Sequence, residues 1–286
     1  MGDIDWDEQI SYLQKSIGLY YNDDYLRFLV ETVWQIHKPV HVIDFGCGFG
    51  HAGLRLLPFL PEGSSYTGID AGVELIEVAR QLFQKLPYPV EFIVGDFHTI
   101  SIKKTYDLAV CHAVLLHLSE PVRLLTKMIH HVKAGGKMIA FEPHWNAAMA
   151  SYSFEGIDQS SVIPLGLLQR LFERDAKRTG KDGNIGLKLP LLFQQLGLRE
   201  VQCRQSDKVH VSNPQVNPED AARLYKALAF PDPGDPRTFT SQLQERGMSR
   251  EEAERQYAAE KLLSIAYTAS VSMTYAPSMK ITFGTV

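Results

Sequence analysis

Hydrophobic positions along this chain switch between two periods. Short β-branched runs alternate with stretches where apolar residues return every three or four positions. "VHVIDF" (40–45), "SYTGID" (65–70), "VEFIVGD" (90–96), a run within "YDLAVCHAVLLHL" (106–118) and "KMIAFEP" (137–143) predict five strands. Between them "AGLRLLPF", interrupted near Pro58, "VELIEVARQLFQKL" (73–86) and "PVRLLTKMIHHVKAGG" (121–136) predict helices, the last closed by its glycines. "LKLPLLFQQLGL" (187–198) is a further helix, and "REVQCRQS" (199–206) and "MKITFGTV" (279–286) are two last strands. The first 36 residues read as helical, with Asn22 or Asp23 as a cap and Tyr25, Leu29, Val33 and Ile36 near one face.

Strands alternating with helices imply an α/β fold with right-handed crossovers: a doubly wound, mostly parallel, seven-stranded sheet. Two segments break the alternation. The expected organisation is N-terminal helices in 1–39 covering the ligand site, a core in 40–143, 186–211 and 271–286, and helical lid insertions in 144–185 and 212–270. In the second insertion Asn217 precedes Pro218 as a cap, and Ser249 with Glu252 forms a capping box. "FPDPGDP" (230–236) is a turn-rich linker.

Composition narrows the class. The 286 residues are 45% apolar and carry a formal net charge of −4, ordinary for a globular protein and without the basic excess of a nucleic-acid binder. Cys47, Cys111 and Cys203 form no CxxC pair, which points to reduced thiols and no disulfide framework. The acidic start has no signal-peptide pattern and no apolar run is long enough to span a bilayer, so a cytoplasmic protein is expected.

The chemistry is concentrated at strand ends. Gly46, Gly48 and Gly50 follow the first strand, where ligands bind an open parallel sheet. Gly48, Gly50 and Gly53 also match the dinucleotide spacing GxGxxG, so the glycines alone admit two nucleoside cofactors. Asp44, at the end of that strand, disfavours the pyrophosphate of NAD and favours a cationic group. Asp70 ends the second strand, placed for ribose hydroxyls, and Asp96 with Phe97 follows the third, placed for adenine. The alternative for each carboxylate is a cap on the turn after its strand.

"VIDFGCGFG", "TGID", "VGDF", "YDLAVCHAVLLHL" and "AGGKMIAFEP", in this order over 40–143, resemble the successive motifs of class I S-adenosylmethionine-dependent methyltransferases of the small-molecule type, with helical cap insertions. "LPLLFQQLGLREV" resembles the family's next helix and strand, so about half of the chain is covered. The resemblance implies a Rossmann-like methyltransferase fold and S-adenosyl-L-methionine as cofactor, leaving S-adenosyl-L-homocysteine as product. Asp44, Gly46 and Gly48 would line the methionine end, with Cys47 and Gly50 in the same loop. Asp70 would meet the ribose, with Ala71 next to it also in contact with the cofactor, Asp96 and Phe97 the adenine, and Cys111 and His112 the methionine part.

The reaction implied is in-line methyl transfer, for which alignment and exclusion of water dominate. If the acceptor's proton is tightly held, a base is needed, and the candidates are His117, His112 and His144. No metal is expected, since Cys111, His112 and His117 match no zinc spacing. No DPPY- or NPPY-like stretch of amino-methylating DNA enzymes follows the fourth strand, which favours a small or medium-sized organic acceptor and no nucleic-acid or membrane partner. A monomer or homodimer is expected. Trp145, Tyr152, Phe154, Phe172, Tyr225 and Phe230 are candidates to line an acceptor cavity. Competing readings are a non-catalytic S-adenosylmethionine-binding regulatory protein and an NAD-dependent oxidoreductase.

Overall fold

The computed structural model describes residues 18–228 and 230–286. The helical expectation for the first 17 residues lies outside the described residues. In chain order the strands are β1 (His41–Phe45), β2 (Ser65–Asp70), β3 (Val90–Val94), β4 (Tyr106–His112), β5 (Val132–Pro143), β6 (Tyr152–Phe154), β7 (Arg199–Gln205), β8 (His210–Ser212), β9 (Met273–Tyr275) and β10 (Met279–Thr285). The α-helices are α1 (Asp23–Phe28), α2 (His51–Leu56), α3 (Val73–Phe83), α4 (Pro121–His130), α5 (Trp145–Ala150), α6 (Gln159–Val162), α7 (Leu165–Thr179), α8 (Leu189–Gln195), α9 (Pro218–Leu228), α10 (Pro236–Glu245) and α11 (Arg250–Ala266).

The chain divides into two compact units. The first, comprising residues up to Pro143, Ile185–Asp207 and Met279–Val286, holds a seven-stranded sheet in the order β3-β2-β1-β4-β5-β10-β7. Neighbours β3 through β5 run parallel, and β10 pairs antiparallel with both β5 and β7. The order reverses between β1 and β4, so the switch point where ligands bind lies at the carboxyl ends of these two strands.

Alternation along the central strands builds two cores. Leu108 and Val110 of β4 face a layer with Leu26, Val30, Leu56 and Phe83, while Ala109 and Cys111 face Leu124, Met128, Leu189 and Phe193. Four of the five residues of β1 are buried, as a strand covered on both faces requires. In α3 the buried residues Leu75, Ile76, Ala79 and Phe83 recur at helical spacing.

Several local expectations shift. The helix from Pro121 stops at His130 rather than running to the glycines. Residues 132–136 enter β5: the Gly135 N–H donates to the Val286 carbonyl, and the Val286 N–H donates to the Gly136 carbonyl. Asn22 flanks α1 but makes no side-chain cap; its Nδ2 donates to Asp207 Oδ2 at 2.7 Å instead. The helix continues as a π turn (Leu29–Val33), and its deepest residues are Leu26, Leu29, Val30 and Trp34, with the expected Tyr25, Val33 and Ile36 partly buried against the same core.

The second unit comprises His144–Asn184 and Lys208–Ser278. Expected core residues 208–211 and 271–278 belong here, because β8 and β9 join β6 in a small antiparallel sheet ordered β6-β9-β8. The capping box of Ser249 and Glu252 forms in full, and Asn217 Oδ1 accepts from the Asp220 N–H at 3.2 Å. The aromatics offered for an acceptor cavity make ring contacts within this unit, Tyr152 and Phe154 buried and Trp145 and Tyr225 exposed. Tyr152 stacks on Tyr275 at 4.1 Å between ring centroids, Phe154 and Phe230 meet Tyr267, Tyr225 also meets Tyr267, and Trp145 meets Phe172.

Candidate cofactor site

The turn after β1 takes its shape from glycine at alternate positions. Gly46, Gly48 and Gly50 adopt φ of +71°, +53° and +86°, a region L side chains rarely occupy. Gly50 opens α2 as its left-handed N-cap. The Gly46 and Cys47 N–H groups donate to the Ile69 carbonyl of β2 at 2.8 and 3.0 Å. A Cβ on Gly48 would meet nothing within 4 Å, so the turn is open at this residue.

Asp70 joins this turn to the next. Its Oδ2 accepts from the Gly48 N–H and its Oδ1 from the Gly72 N–H, both at 2.8 Å, with Ala71 exposed between Asp70 and Gly72. Asp70 thereby ties the glycine turn after β1 to Gly72, the residue before α3.

Asp44 lies inside the protein, 1% exposed. Tyr66 donates its hydroxyl to Asp44 Oδ2 at 2.6 Å, and Oδ1 is buried with no hydrogen-bond partner among the described residues. Burial pushes this carboxyl up to about 7; the Tyr66 bond pulls the other way and the charge of Asp70 adds to the rise. Gly53 is explained by the same pair. A Cβ there would stand 2.8 Å from two atoms of the Tyr66 ring, so this glycine of the GxGxxG register serves packing between α2 and β2.

The other candidates divide. Asp96 is exposed after β3 and its Oδ1 accepts from the His98 N–H at 2.8 Å, a turn cap beside Phe97. Cys47 and Cys111 are 5% and 0% exposed, and burial pushes both thiols up, so their side chains are small core groups. His112 ends β4 with Nε2 3.4 Å from the Tyr21 hydroxyl and its ring 4.5 Å from that of His51. Burial first, and His51 second, hold its imidazole well below the usual histidine range, which keeps it neutral. His117 closes the 3₁₀ turn Leu115–His117 after β4. His144 lies in the second unit, where its N–H donates to the Ser278 carbonyl. Among the described residues, no group of three or more His, Cys, Asp or Glu side chains is placed to hold a metal ion.

Sequence reasoning missed four residues here. Tyr21 and His51 flank His112 from distant segments, and no local signal marks them. Tyr66 reads as an ordinary strand aromatic. Glu142 had a signal, an acid in the apolar run "KMIAFEP", but nothing in the run says what it holds.

A glycine turn at the switch point, a carboxylate at the end of β2 and a sheet with one antiparallel strand near its edge define the class I methyltransferase fold. Residues 36–166 match the model of a family described as methyltransferase domain. The chain is 27% identical over 146 residues to a ubiquinone biosynthesis O-methyltransferase of Rickettsia typhi, covering 51% of this chain and 52% of that protein. It is 32% identical over 128 residues to the enzyme of the same name from Vibrio parahaemolyticus, covering 43% and 52%. The alignments thus span about half the length of these curated relatives. The solved structure of Haemonchus contortus phosphoethanolamine N-methyltransferase 2, in complex with phosphomonomethylethanolamine and S-adenosylhomocysteine, aligns with a TM-score of 0.53 at 13% identity, covering 98% of this chain and 57% of that one.

Proposed function

We propose that this protein transfers a methyl group from S-adenosyl-L-methionine to a small or medium-sized organic acceptor. The observation that carries this reading is Asp70, whose carboxylate bridges the Gly48 and Gly72 amides beside an open glycine turn at the switch point. When bound, the cofactor supplies an electrophilic methyl group on a sulfonium, which leaves as a neutral thioether.

The residues fit such a group. Asp70 is assigned to the ribose hydroxyls, and Gly46, Gly48 and Gly50 form the turn beside it, open at Gly48. Asp44, a buried carboxyl with one oxygen unpartnered among the described residues, is assigned to the cationic methionine end. Asp96 and Phe97 are assigned to the adenine end, Ala71 to the ribose. His112, which ends β4, and His117, after it, are assigned to the methionine side, with His117 the preferred proton acceptor and His144 the third candidate. The names of the curated relatives favour an oxygen nucleophile on the acceptor.

We further place the protein in the cytoplasm, as a monomer or homodimer. No helix among the described residues is long and apolar enough to cross a membrane.

Calorimetric titration with S-adenosylhomocysteine, S-adenosylmethionine and NAD tests the reading. Micromolar binding of the two adenosyl compounds, absent for NAD and weakened in Asp70→Ala, is the expected result. Folded protein that ignores both adenosyl compounds would sink it.

A further inference from the structure

The fifth strand carries a carboxylate to which the cofactor reading gives no role. Glu142, the penultimate residue of β5, is 0% exposed. Its Oε1 accepts from the N–H groups of Val114 and Leu115 at 2.9 and 2.8 Å, and its Oε2 from that of Leu116 at 3.3 Å. Three successive amides of the turn after β4 thus converge on one side chain from the neighbouring strand. No backbone ladder could collect them, because parallel strands pair residue by residue and this turn has left the ladder.

Two further observations give that clamp a direction. Ala113, immediately before the clamped amides, has φ of +54° without being glycine, while its N–H donates to the Phe141 carbonyl at 2.7 Å. A left-handed alanine persists only where its surroundings over-determine it, and such strain concentrates at functional sites. The next residue, Val114, packs against the glycine turn: a Cβ on Gly46 would stand 2.7 Å from Val114 Cγ2 and 3.1 Å from Cγ1. The chain of contacts therefore runs from Glu142, through the amide of Val114, to the side chain of Val114 and the α-carbon of Gly46.

We infer that Glu142 is a positioning residue for cofactor binding: by gripping the turn after β4 it presses Val114 against Gly46 and fixes the glycine turn across the switch point. This role rests on the proposed cofactor reading for its ligand, but the coupling between the two turns does not. It also gives Gly46 a second reason to be glycine, since a side chain there would displace the valine that holds the turn. Glu142 touches neither end of the ligand site directly; it acts through Val114.

The test compares Glu142→Gln and Val114→Ala with the wild-type chain by amide hydrogen exchange and by titration with S-adenosylhomocysteine. Glutamine keeps the shape of glutamate but replaces one acceptor oxygen with a donor facing another donor. For Glu142→Gln we expect faster exchange at Val114–Leu116 and at residues 46–48, and affinity lower by about tenfold. Val114→Ala keeps all three amide bonds to Glu142, so only residues 46–48 should loosen, again with weaker binding. A merely structural carboxylate would lower the melting temperature and leave exchange at 46–48 and affinity unchanged; that result, or a Val114→Ala protein that binds like wild type, overturns the inference. Should Glu142→Gln fail to fold, Val114→Ala still decides. Wild-type protein that ignores S-adenosylhomocysteine, while Glu142→Gln loosens both turns, would refute the cofactor reading and support the coupling.

Discussion

Tyr66 donates its hydroxyl to the buried carboxylate of Asp44 at 2.6 Å, and Gly53 lacks the side chain that would push the tyrosine ring away. Sequence places these residues on a strand end, a neighbouring strand and a helix. Folding brings the three together where β1, β2 and α2 meet.

Removing that hydroxyl leaves a buried carboxylate with no side-chain donor. Tyr66→Phe should lose about 1–3 kcal/mol of stability in a denaturant titration. It should also push the Asp44 carboxyl further up, so S-adenosylmethionine binding weakens more at pH 7 than at pH 8.5. Equal losses at the two pH values would separate Asp44 from the cation.

Two glycines in this region should respond differently to alanine. Gly53→Ala sets a methyl group against the Tyr66 ring, and overpacking of this kind lowers stability by about 1–3 kcal/mol. Gly48→Ala meets open space but must hold φ at +53°, a strain of about 1–2 kcal/mol, and its methyl group enters the ligand's room. Thermal melts with S-adenosylhomocysteine titrations should show both variants melting lower, with affinity reduced by at least about tenfold only in Gly48→Ala.

Burial pushes Glu142 up to about 7 from an ordinary value of 4.5. The folded state therefore binds more protons than the unfolded state between these values, so this group's contribution to stability falls as pH rises through that window. Glutamine does not titrate. The stability of wild type relative to Glu142→Gln should grow as pH drops from 8 to 5, by up to about 3 kcal/mol. Chemical denaturation of both proteins across this range measures it, and a constant difference would contradict the burial assigned to Glu142.

The depression of His112 has His51 as its second cause, after burial. In wild type the His112 imidazole should remain neutral at pH 6 by NMR. His51→Ala removes a neighbouring cationic site, and the His112 midpoint should climb toward the ordinary histidine range. An unmoved midpoint would show burial alone to be responsible.

The local pattern carried much of the fold because each signal was local. "SYTGID" is a strand at its predicted bounds, β-branched positions mark β1 and β4, and the two insertions announce themselves by breaking a βα rhythm. Where the pattern failed, the missing information lay far along the chain. Gly135 and Gly136 read as a helix stop, yet they pair with Val286, whose position opposite them exists only once β10 has inserted beside β5. The short strands of the second unit went unread for the same reason. Three residues at a time, β6, β8 and β9 have too little periodicity to register, and only their mutual pairing makes them a sheet.

The site divides along the same line. By itself the sequence determined that an acid lies at the end of the first strand, that alternate glycines follow it and that another acid ends the second, because backbone geometry and strand ends leave compositional marks. Tertiary structure decided what those acids do: Asp70 binds the glycine turn, Asp96 caps its own turn, and Asp44 is enclosed with Tyr66. It alone brought Tyr21 and His51 to His112, and Glu142 to the amides of the turn after β4. Hydrogen bonds between residues tens of positions apart have no period, so no reading of one strand or helix at a time could contain them.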